Sequence, residues 1–354
     1  MQTSFCIGER RIGKDSPTFI VAEIGANHNG DVDLAKKEID AAAACGVDAV
    51  KFQSYTAEEL VSDTTRVIEW GPEGRKVREP VGEMFDRIAL PRDKHREVFD
   101  YANKLGLIAF STPFSVEGAK FLDALEVPCF KVAASDVNYQ DMLSYLATTG
   151  KPILLSAGKC TLGELDEAVV LLEQEGCKEL VVMHCVSNYP SAMEDMNLKI
   201  IPSLGRMYEE DAVIGFSDHS MGITASLGAV AMGAKVIEKH FTLDKNLVGP
   251  DHWFSMDPKD MQVLVSEIRN LESAMGHPRK RLLESEQNER NTSIRSIVAK
   301  RFLHAGTIIT RECLKTVRPG GGISPFEVKK ILGMRLEKDV PVNGLLTWDA
   351  FRTY

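Results

Sequence analysis

Short apolar runs alternate with amphipathic stretches along the first 280 residues of the chain. Runs such as FIVAEIG and LVVMHC are apolar at nearly every position, which is typical of parallel strands buried on both faces. The stretches between them carry apolar residues at helical spacing, as in VDLAKKEIDAAAAC, where Gly46 marks a stop. The predicted strands are residues 19–25, 49–53, 108–114, 129–134, 152–158, 180–185, 213–219 and 236–241, and the clearest predicted helices are 32–45, 92–105, 162–175, 223–232 and 258–275.

Eight strand–helix units favour a closed (β/α)8 TIM barrel over an open sheet. Active sites in such barrels lie at the carboxyl ends of the strands. Every predicted strand carries polar or ionisable side chains at that end, which random surface placement would not produce. These positions are Glu23, Lys51, Gln53, Ser111, Thr112, Lys131, Ser156, His184, Ser217, Asp218, His219, Glu238, Lys239 and His240.

Two segments depart from the repeat. Residues 54–90 form a long insertion after the second strand, and an insertion of this length is typical of a lid or binding loop. The polar stretch RKRLLESEQNERN precedes short β-like pieces at the C-terminus. We therefore predict a catalytic barrel at 1–280, a linker at 281–291 and a small domain at 292–354.

Composition narrows the functional class. A net charge of −9 disfavours nucleic-acid binding, which normally needs a basic face. There is no apolar run long enough for a membrane helix and no signal-peptide pattern. The seven cysteines are scattered without a CxxC pair, which fits a reducing compartment. These features predict a cytoplasmic protein that acts on small molecules and binds neither membrane nor nucleic acid.

A histidine pair is the first candidate for chemistry. His219 and His240 end strands that are neighbours in a barrel, so their imidazoles could share one divalent metal ion with water and substrate. Asp218 or a substrate oxygen could add a further ligand. The alternative is two strand-end histidines with unrelated hydrogen bonds, and the spacing leaves both interpretations open.

A lysine pair is the second candidate. Lys51 and Lys131 follow apolar runs, and a buried ammonium is costly unless an anion pairs with it. Together with nearby hydroxyls they could bind a phosphate and a carboxylate. The alternatives are structural ion pairs with Glu23 and Asp136, or a Schiff base formed by one lysine. The hydroxyl side chains at the same strand ends are Thr112, Ser156 and Ser217.

Three carboxylates and one arginine complete the candidates. Glu23, Asp136 and Asp251 could bind sugar hydroxyls or move protons, although each alone is more often structural. Asp251 lies in GPDHW after the last strand, where a simple Pro-Asp turn is the alternative. Arg318 precedes three glycines in VRPGGG, but no strand–helix context supports a nucleotide-binding loop there.

Taken together, these motifs resemble the sialic acid synthase family, which comprises N-acetylneuraminate synthases and their legionaminate and pseudaminate relatives. The resemblance extends over nearly the whole chain. It rests on AEIGANHNG, AVKFQSY, FSTPF, FKVAAS, LLSAG, MHCVSNYP, GFSDHS, IEKHFT and GPDH, which occur in this order. The tail resembles that family's small antifreeze-like (SAF) domain, of which VRPG is the marker.

The resemblance implies a TIM barrel followed by an SAF domain, in a domain-swapped homodimer. It implies a divalent metal ion, Mn²⁺ in first place and Mg²⁺ or Co²⁺ as alternatives, held by His219 and His240. It implies that Glu23 transfers a proton and that Arg318 of the partner subunit contacts the N-acyl group of the sugar. The implied phosphoenolpyruvate contacts are Lys51, Thr112, Lys131, Ser156, Ser187 and Ser217. The implied amino-sugar contacts are Gln53, Asp136, Tyr189 and Asp251.

Three positions depart from the bacterial N-acetylneuraminate synthases. Asp136 stands where those carry Glu, Ser187 where some carry Asn, and Ala134 where some carry Ser. The shorter acid moves its carboxylate by one methylene, roughly 1.5 Å. The change at Asp136 concerns the identity of the sugar and leaves the phosphoenolpyruvate half intact.

The predicted reaction joins phosphoenolpyruvate, water and an amino-sugar aldehyde of the N-acetylmannosamine type, giving a nonulosonic (sialic-type) acid and phosphate. The sugar stays open among N-acetylmannosamine, its 6-phosphate and a 2,4-diacetamido-trideoxy hexose. The alternatives are a Schiff-base pyruvate aldolase, a heptulosonate- or octulosonate-type synthase that uses a sugar phosphate, and a non-catalytic sugar-binding barrel.

Overall fold

The computed structural model describes residues 1–351 as strands and helices that alternate through most of the chain. The strands are β1 (Ser4–Ile7), β2 (Arg10–Gly13), β3 (Phe19–Gly25), β4 (Ala49–Ser54), β5 (Val67–Trp70), β6 (Val77–Pro80), β7 (Ile108–Pro113), β8 (Phe130–Val132), β9 (Ile153–Ala157), β10 (Leu180–Cys185), β11 (Val213–Asp218), β12 (Val236–His240), β13 (Ser296–Ala299) and β14 (Leu314–Val317). The α-helices are α1 (Val32–Cys45), α2 (Ala57–Leu60), α3 (Val81–Ile88), α4 (His95–Lys104), α5 (Val116–Ala124), α6 (Gln140–Thr148), α7 (Leu162–Gln174), α8 (Ile200–Met207), α9 (Thr224–Ala231), α10 (Pro258–Met275), α11 (Gln287–Ser293) and α12 (Val328–Ile331).

Eight of these strands close into a parallel barrel in the order β10-β11-β12-β3-β4-β7-β8-β9. All eight predicted strands are present, and the predicted TIM barrel is confirmed. Their ends coincide with the predicted ranges or differ from them by one or two residues. The largest difference is in β8, because the chain turns into a 3-10 helix at Ala134–Asp136 directly after it.

The helices begin and end where local chemistry favours it. Asp31 caps α1 by accepting hydrogen bonds from the backbone N–H groups of Asp33 and Leu34. Gly46 ends that helix with a left-handed φ of 79°, which costs a glycine little. The predicted helix 92–105 begins as a 3-10 turn at Arg92–Lys94 before α4. No helix within residues 1–351 has both the length and the apolar composition to cross a bilayer.

A hairpin that the sequence analysis did not predict closes the amino-terminal end of the barrel. Strands β1 and β2 pair antiparallel. Their apolar residues Phe5, Ile7 and Ile12 pack in one buried cluster with inward-facing barrel residues such as Phe19 and Phe110. This end is therefore apolar and sealed, which leaves the opposite end for polar chemistry.

The insertion at 54–90 folds into an ordered unit rather than an irregular loop. It contains α2, the antiparallel hairpin β5–β6 and α3. Its small core is formed by Tyr55, Val81, Met84 and Ile88, with Phe114 of the barrel packed against it. This core fixes the insertion to the carboxyl end of the barrel.

A second compact unit begins at His277 and has its own core. Strands β13 and β14 pair antiparallel, and short β-bridges connect the rest of the unit. The core includes Ile297, Leu336 and Phe351. The stretch predicted as a linker is exposed, but the short helix α11 begins within it and ends two residues beyond it.

One buried carboxylate in the barrel unit should reduce stability. Glu38 on α1 is fully buried, and neither carboxylate oxygen has a hydrogen-bond partner. Burial raises the pKa of Glu38 well above its usual range. We expect Glu38→Met to raise the free energy of unfolding by about 1–3 kcal/mol at pH 8.

The gain in stability expected from Glu38→Met should depend on pH. The unfolded chain releases this proton above its ordinary pKa of about 4.5, whereas the folded chain retains it, so wild-type stability falls as pH rises above that value. Urea unfolding at pH 4 and pH 8 measures the difference. Glu173→Met, on the exposed face of α7, is the matched control. An equal response of the two variants to pH would contradict the assignment.

Candidate active site

The site forms at the carboxyl end of the barrel because strand side chains alternate between interior and exterior. Register places His240 of β12 opposite Glu23 of β3, and Glu23 opposite Lys51 of β4. These three side chains therefore lie in one row around the barrel. The predicted residues that line the same pocket are Glu23, Lys51, Gln53, Thr112, Lys131, Ser156, Ser187, Tyr189, Ser217, His219 and His240.

The same alternation directs other strand-end residues away from the pocket. His184 stacks on Phe216, and its Nε2 lies 2.7 Å from the Met196 carbonyl oxygen. The hypothesis that Asp218 could be a metal ligand beside His219 is wrong for this structure. Its carboxylate faces outward and binds Lys239 at 2.8 Å, because it lies one residue from the inward-facing positions.

Lys51 is the centre of the first charged group. Its Nζ lies 2.8 Å from Glu23 Oε2 and donates to Thr112 Oγ1 at 3.0 Å. Gln53 Nε2 donates to the other oxygen of Glu23 at 2.9 Å. Glu238 Oε2 lies 3.8 Å from the same ammonium. Lys51 is thus held by two carboxylates and a hydroxyl on the floor of the pocket.

Lys131 is the centre of the second group. Its Nζ donates to Ser156 Oγ at 2.6 Å and to the Val132 carbonyl at 3.1 Å. The carboxylate within 4.0 Å is Glu238, not the predicted Asp136. Glu238 approaches this ammonium from the opposite side of the barrel, whereas Asp136 lies on the 3-10 turn after β8.

The buried charged groups shift one another's pKa values. Burial raises the pKa of Glu23 to about 7, although Lys51 acts in the opposite direction. Burial alone would also raise the pKa of Glu238, but Lys131 and Lys51 outweigh it and hold that pKa below its usual value. Glu238 is therefore the permanent counter-charge of the lysine pair. Glu23 can gain or lose a proton near neutral pH.

The histidine pair lies beside these charges. The ring centroids of His219 and His240 are 5.4 Å apart. Burial lowers the pKa of His219 to about 4 and places the pKa of His240 well below its usual range, so both rings are neutral. His219 Nδ1 lies 2.9 Å from the Val186 carbonyl oxygen, which assigns the proton to Nδ1 and leaves a lone pair on Nε2.

These features fit a metal site with two protein ligands. Neutral imidazoles are good ligands for divalent ions of the first transition series. His240 Nδ1 is buried without a hydrogen-bond partner. This is expected of a ring nitrogen that binds a metal ion or another ligand from outside the chain. Residues 1–351 contain no group of three or more His, Cys, Asp or Glu side chains arranged to hold a metal. Water or substrate would therefore have to supply the remaining ligands.

Tyr189 and Asp251 border the histidines. The Tyr189 ring lies 4.2 Å from that of His219, centroid to centroid. Asp251 Oδ2 lies 3.5 Å from His240 Nδ1, and burial raises the pKa of Asp251 to about 6. Asn27 supports this loop by donating to the Phe241 carbonyl at 2.7 Å. A protonated Asp251 can donate a hydrogen bond as well as accept one.

Asp136 does not line the pocket, although its neighbours Ala134 and Ser135 do. Burial raises its pKa to about 6, and its Oδ2 has no hydrogen-bond partner. Gly158 packs against two residues that line the pocket, since an added Cβ would lie 2.6 Å from Ser187 Oγ and 3.0 Å from Ala134 Cβ. A larger residue at position 158 would therefore have to displace them. Arg318 belongs to the second compact unit, where it is exposed.

Several residues that line the pocket had no role predicted from the sequence, and Glu238 and Cys185 are the most notable of them. Glu238 pairs with both lysines, and Cys185 lines the pocket with its Sγ 3.7 Å from His219 Nδ1. The signal for Glu238 was its position two residues before His240, which places both side chains on the same strand face. Cys185 could not be distinguished from a small apolar core residue.

The comparison with protein families covers both units. The NeuB family matches residues 38–280, and the SAF domain matches residues 294–352. These matches confirm the resemblance stated from the motifs.

Named relatives extend over nearly the whole chain. An N,N'-diacetyllegionaminic acid synthase from Campylobacter jejuni is 38% identical, over 93% of this chain and 98% of the relative. The N-acetylneuraminate-9-phosphate synthase of Homo sapiens is 33% identical, over 95% of this chain and 93% of the relative. Among solved structures, an N-acetylneuraminic acid synthetase from Leptospira borgpetersenii is 33% identical with a TM-score of 0.73, over 82% of this chain and 95% of that chain. The chain therefore belongs to the NeuB family, is an enzyme like these relatives, and ends in an SAF domain.

Proposed function

We propose that this enzyme condenses phosphoenolpyruvate with an amino-sugar aldehyde of the N-acetylmannosamine type and water. The products are a nonulosonic acid and inorganic phosphate. The observation that carries the proposal is the pocket floor, where two buried ammonium groups with hydroxyl partners lie beside two neutral imidazoles. The first pair suits a small anionic donor, and the second suits a metal ion near an aldehyde oxygen.

The donor half rests on Lys51 and Lys131. In the structure these ammonium groups are balanced by Glu23 and Glu238. When phosphoenolpyruvate binds, its phosphate and carboxylate would neutralise part of the positive charge of the two lysines. Nearby hydroxyls would donate hydrogen bonds to it. The residues proposed for this half are Lys51, Thr112, Lys131, Ser156, Ser187 and Ser217, all of which line the pocket.

The metal proposed is Mn²⁺, held by His219 and His240. When bound, it would polarise the aldehyde oxygen of the acceptor as a Lewis acid. The chain's own contribution is to keep both rings neutral, and the Val186 carbonyl selects the tautomer of His219.

The acceptor half uses polar groups around the histidines. We propose that Gln53, Tyr189, Asp136 and Asp251 bind the hydroxyl and amide groups of the sugar. Burial raises the pKa values of both aspartates to about 6, so each is able to accept or donate a hydrogen bond near neutral pH. Orienting two substrates in this way can contribute several kcal/mol, on the order of 7–11 kcal/mol in the most favourable cases.

The bond changes follow from this arrangement. A C–C bond forms between the methylene carbon of phosphoenolpyruvate and the aldehyde carbon as the C=C and C=O π bonds open, and the aldehyde oxygen takes up a proton to become a hydroxyl. Water adds to the former enol carbon and loses one proton. The C–O bond to phosphate then breaks, phosphate leaves with the bonding electrons, and the hydroxyl that came from water loses its proton to leave a 2-keto acid. Glu23 is our candidate to accept the proton of that water, and its pKa of about 7 supports this role because the carboxylate can gain or lose a proton at neutral pH.

The role of Glu23 predicts a pH dependence. As a proton acceptor Glu23 must be ionised, so kcat/KM for phosphoenolpyruvate should fall as pH drops below about 7. Glu23→Gln should lower kcat by roughly 10²–10⁴-fold and remove that dependence. A rate profile from pH 5.5 to 9 tests this. If the variant kept the same profile, the titration would belong to the substrate or to another residue.

We also propose a domain-swapped homodimer in which Arg318 of the partner subunit contacts the N-acyl group of the sugar. The support is the family membership and the exposure of Arg318 on the second compact unit. Two inactive variants, Arg318→Ala and His240→Ala, should regain activity after co-expression, because a mixed dimer holds one intact site. Failure of all mixtures to regain activity would contradict action in trans.

The experiment that tests the function measures phosphate release from phosphoenolpyruvate against a panel of amino-sugar aldehydes, with and without Mn²⁺. The panel contains N-acetylmannosamine, its 6-phosphate and a 2,4-diacetamido-trideoxy hexose. We expect acceptor-dependent phosphate release with at least one member. A covalent adduct with pyruvate that borohydride traps, without phosphate release, would instead establish a Schiff-base aldolase.

A further inference from the structure

A buried ion pair lies on the outer side of the barrel, directly behind the two histidines. Lys239 Nζ of β12 lies 2.8 Å from Asp218 Oδ2 of β11. The two residues are paired in register on neighbouring strands. Both side chains are almost fully buried, with exposed fractions of 3% and 0%. Neither takes part in the chemistry proposed above.

The pair is the centre of a closed hydrogen-bond network. Asp218 Oδ1 accepts from the backbone N–H of Ser220 at 2.8 Å and from its hydroxyl at 2.7 Å. Asp218 Oδ2 also accepts from Ser226 Oγ of α9 at 2.6 Å. Lys239 Nζ donates in addition to the Ser220 carbonyl at 2.6 Å. The network therefore holds Ser220 at its N–H, its hydroxyl and its carbonyl.

This geometry acts on the histidines through the chain. His219 lies between Asp218 and Ser220, so the network fixes the backbone on both sides of it. His240 follows Lys239 directly. The carbonyl of His219 accepts from the Ser191 N–H at 2.9 Å, and that of His240 accepts from the Met256 N–H at 2.8 Å. Each imidazole thus projects from a backbone that is held at neighbouring points.

The cost of burying charge indicates that stability is not the main role of the Asp218–Lys239 pair. Burying two opposite charges costs several kcal/mol per ion, and a well-packed apolar pair in the same place is often as stable or more so. The ion pair instead provides a defined geometry, because its charged hydrogen bonds connect β11, β12 and α9 at one level of the barrel. That level is the one from which both imidazoles enter the pocket.

We propose that Asp218 and Lys239 are positioning residues that set the separation and orientation of His219 and His240 for a shared divalent metal ion. The proposal rests on the metal site of the proposed function. Residues that hydrogen-bond to a metal's ligating groups typically change metal affinity by roughly 10- to 100-fold when replaced. Asp218 and Lys239 act one step behind the ligating imidazoles, through the backbone of His219 and His240. The pair should therefore affect metal binding more than its effect on stability would explain.

The test measures Mn²⁺ binding to metal-free protein, by titration calorimetry or by the paramagnetic resonance signal of free Mn²⁺. Ser226→Ala removes one hydrogen bond and keeps both charges. The double variant Asp218→Asn/Lys239→Met removes both charges and leaves no unpaired ion behind. We expect the dissociation constant to rise several-fold in the first and roughly tenfold or more in the second.

The control is Arg269→Met. It breaks an ion pair with Asp48 at 3.0 Å, at the end of the barrel away from the pocket. Thermal unfolding of each metal-free variant gives the loss of stability. We expect Arg269→Met to lose stability yet keep wild-type Mn²⁺ affinity.

The outcomes separate the two proposals. Wild-type Mn²⁺ affinity in the folded double variant would overturn the positioning role and leave the proposed reaction intact. Mn²⁺ binding that weakens equally in the control and the double variant would assign the pair to stability alone, against the proposal. If wild-type protein did not bind Mn²⁺ at all, the metal part of the proposed function would fail, and the positioning role with it.

Discussion

Lys131→Met should lower kcat/KM for phosphoenolpyruvate by roughly a hundredfold or more. Removing one member of a buried, hydrogen-bonded charge pair typically costs about 2–5 kcal/mol in binding. The Lys131 ammonium donates to Ser156 at 2.6 Å and lies 4.0 Å from Glu238. Without it, Glu238 would repel the incoming anion. Steady-state phosphate release at varied phosphoenolpyruvate measures the effect.

The control for this variant is Lys151→Met. Lys151 also forms an ion pair, with Asp123 at 2.7 Å, but it is partly exposed and does not line the pocket. We expect it to keep wild-type kinetics. Because Lys131→Met leaves a buried carboxylate short of one cation, its thermal unfolding is measured alongside. A folded Lys131→Met protein with unchanged kinetics would refute the assigned donor site.

His240→Ala should abolish metal-dependent turnover, with a loss of roughly a thousandfold or more. The imidazole is neutral, its Nδ1 has no hydrogen-bond partner, and it faces His219 across 5.4 Å between ring centroids. Removal of metal from wild-type protein with a chelator should produce the same loss, and added Mn²⁺ should restore wild type only. The measurement is phosphate release in metal-free and Mn²⁺-containing buffer.

His184→Gln is the matched control for the second variant. His184 is also a buried histidine near the end of a barrel strand, but it faces outward and contacts the Met196 carbonyl oxygen. We expect the Mn²⁺ requirement of this variant to be unchanged, even if its stability falls. Full activity of chelator-treated wild-type protein would remove the metal ion from the reaction.

The polar residues at the strand ends show how much of the site local sequence patterns could predict. The strand–helix repeat and the two-residue alternation of side chains are properties of short segments, and both could be read in the sequence. They predicted that Lys51, Lys131, His219 and His240 would approach one another, and these residues line one pocket. Their individual roles in the reaction stay predictions until they are measured.

Such local patterns could not predict which residues pair with the buried charged side chains. The sequence suggested Asp136 for Lys131, but the nearby carboxylate is Glu238, which is more than 100 positions away along the chain and comes from across the barrel. Asp218 looked like a ligand beside His219, but it binds Lys239 on the outer side. In both cases the choice depends on how strands distant in sequence are registered and tilted when the barrel closes.

The amino-acid sequence by itself determined the eight-stranded barrel, the end at which the polar pocket lies and the family, because periodicity and the order of motifs are properties of short segments and do not depend on packing. The tertiary structure decided which carboxylate neutralises each lysine, that the β1–β2 hairpin seals the opposite end, and that the 54–90 insertion has its own core. The physical reason is that these features depend on contacts between segments far apart in sequence. Their energies arise only when the closed barrel brings the segments within reach of one another.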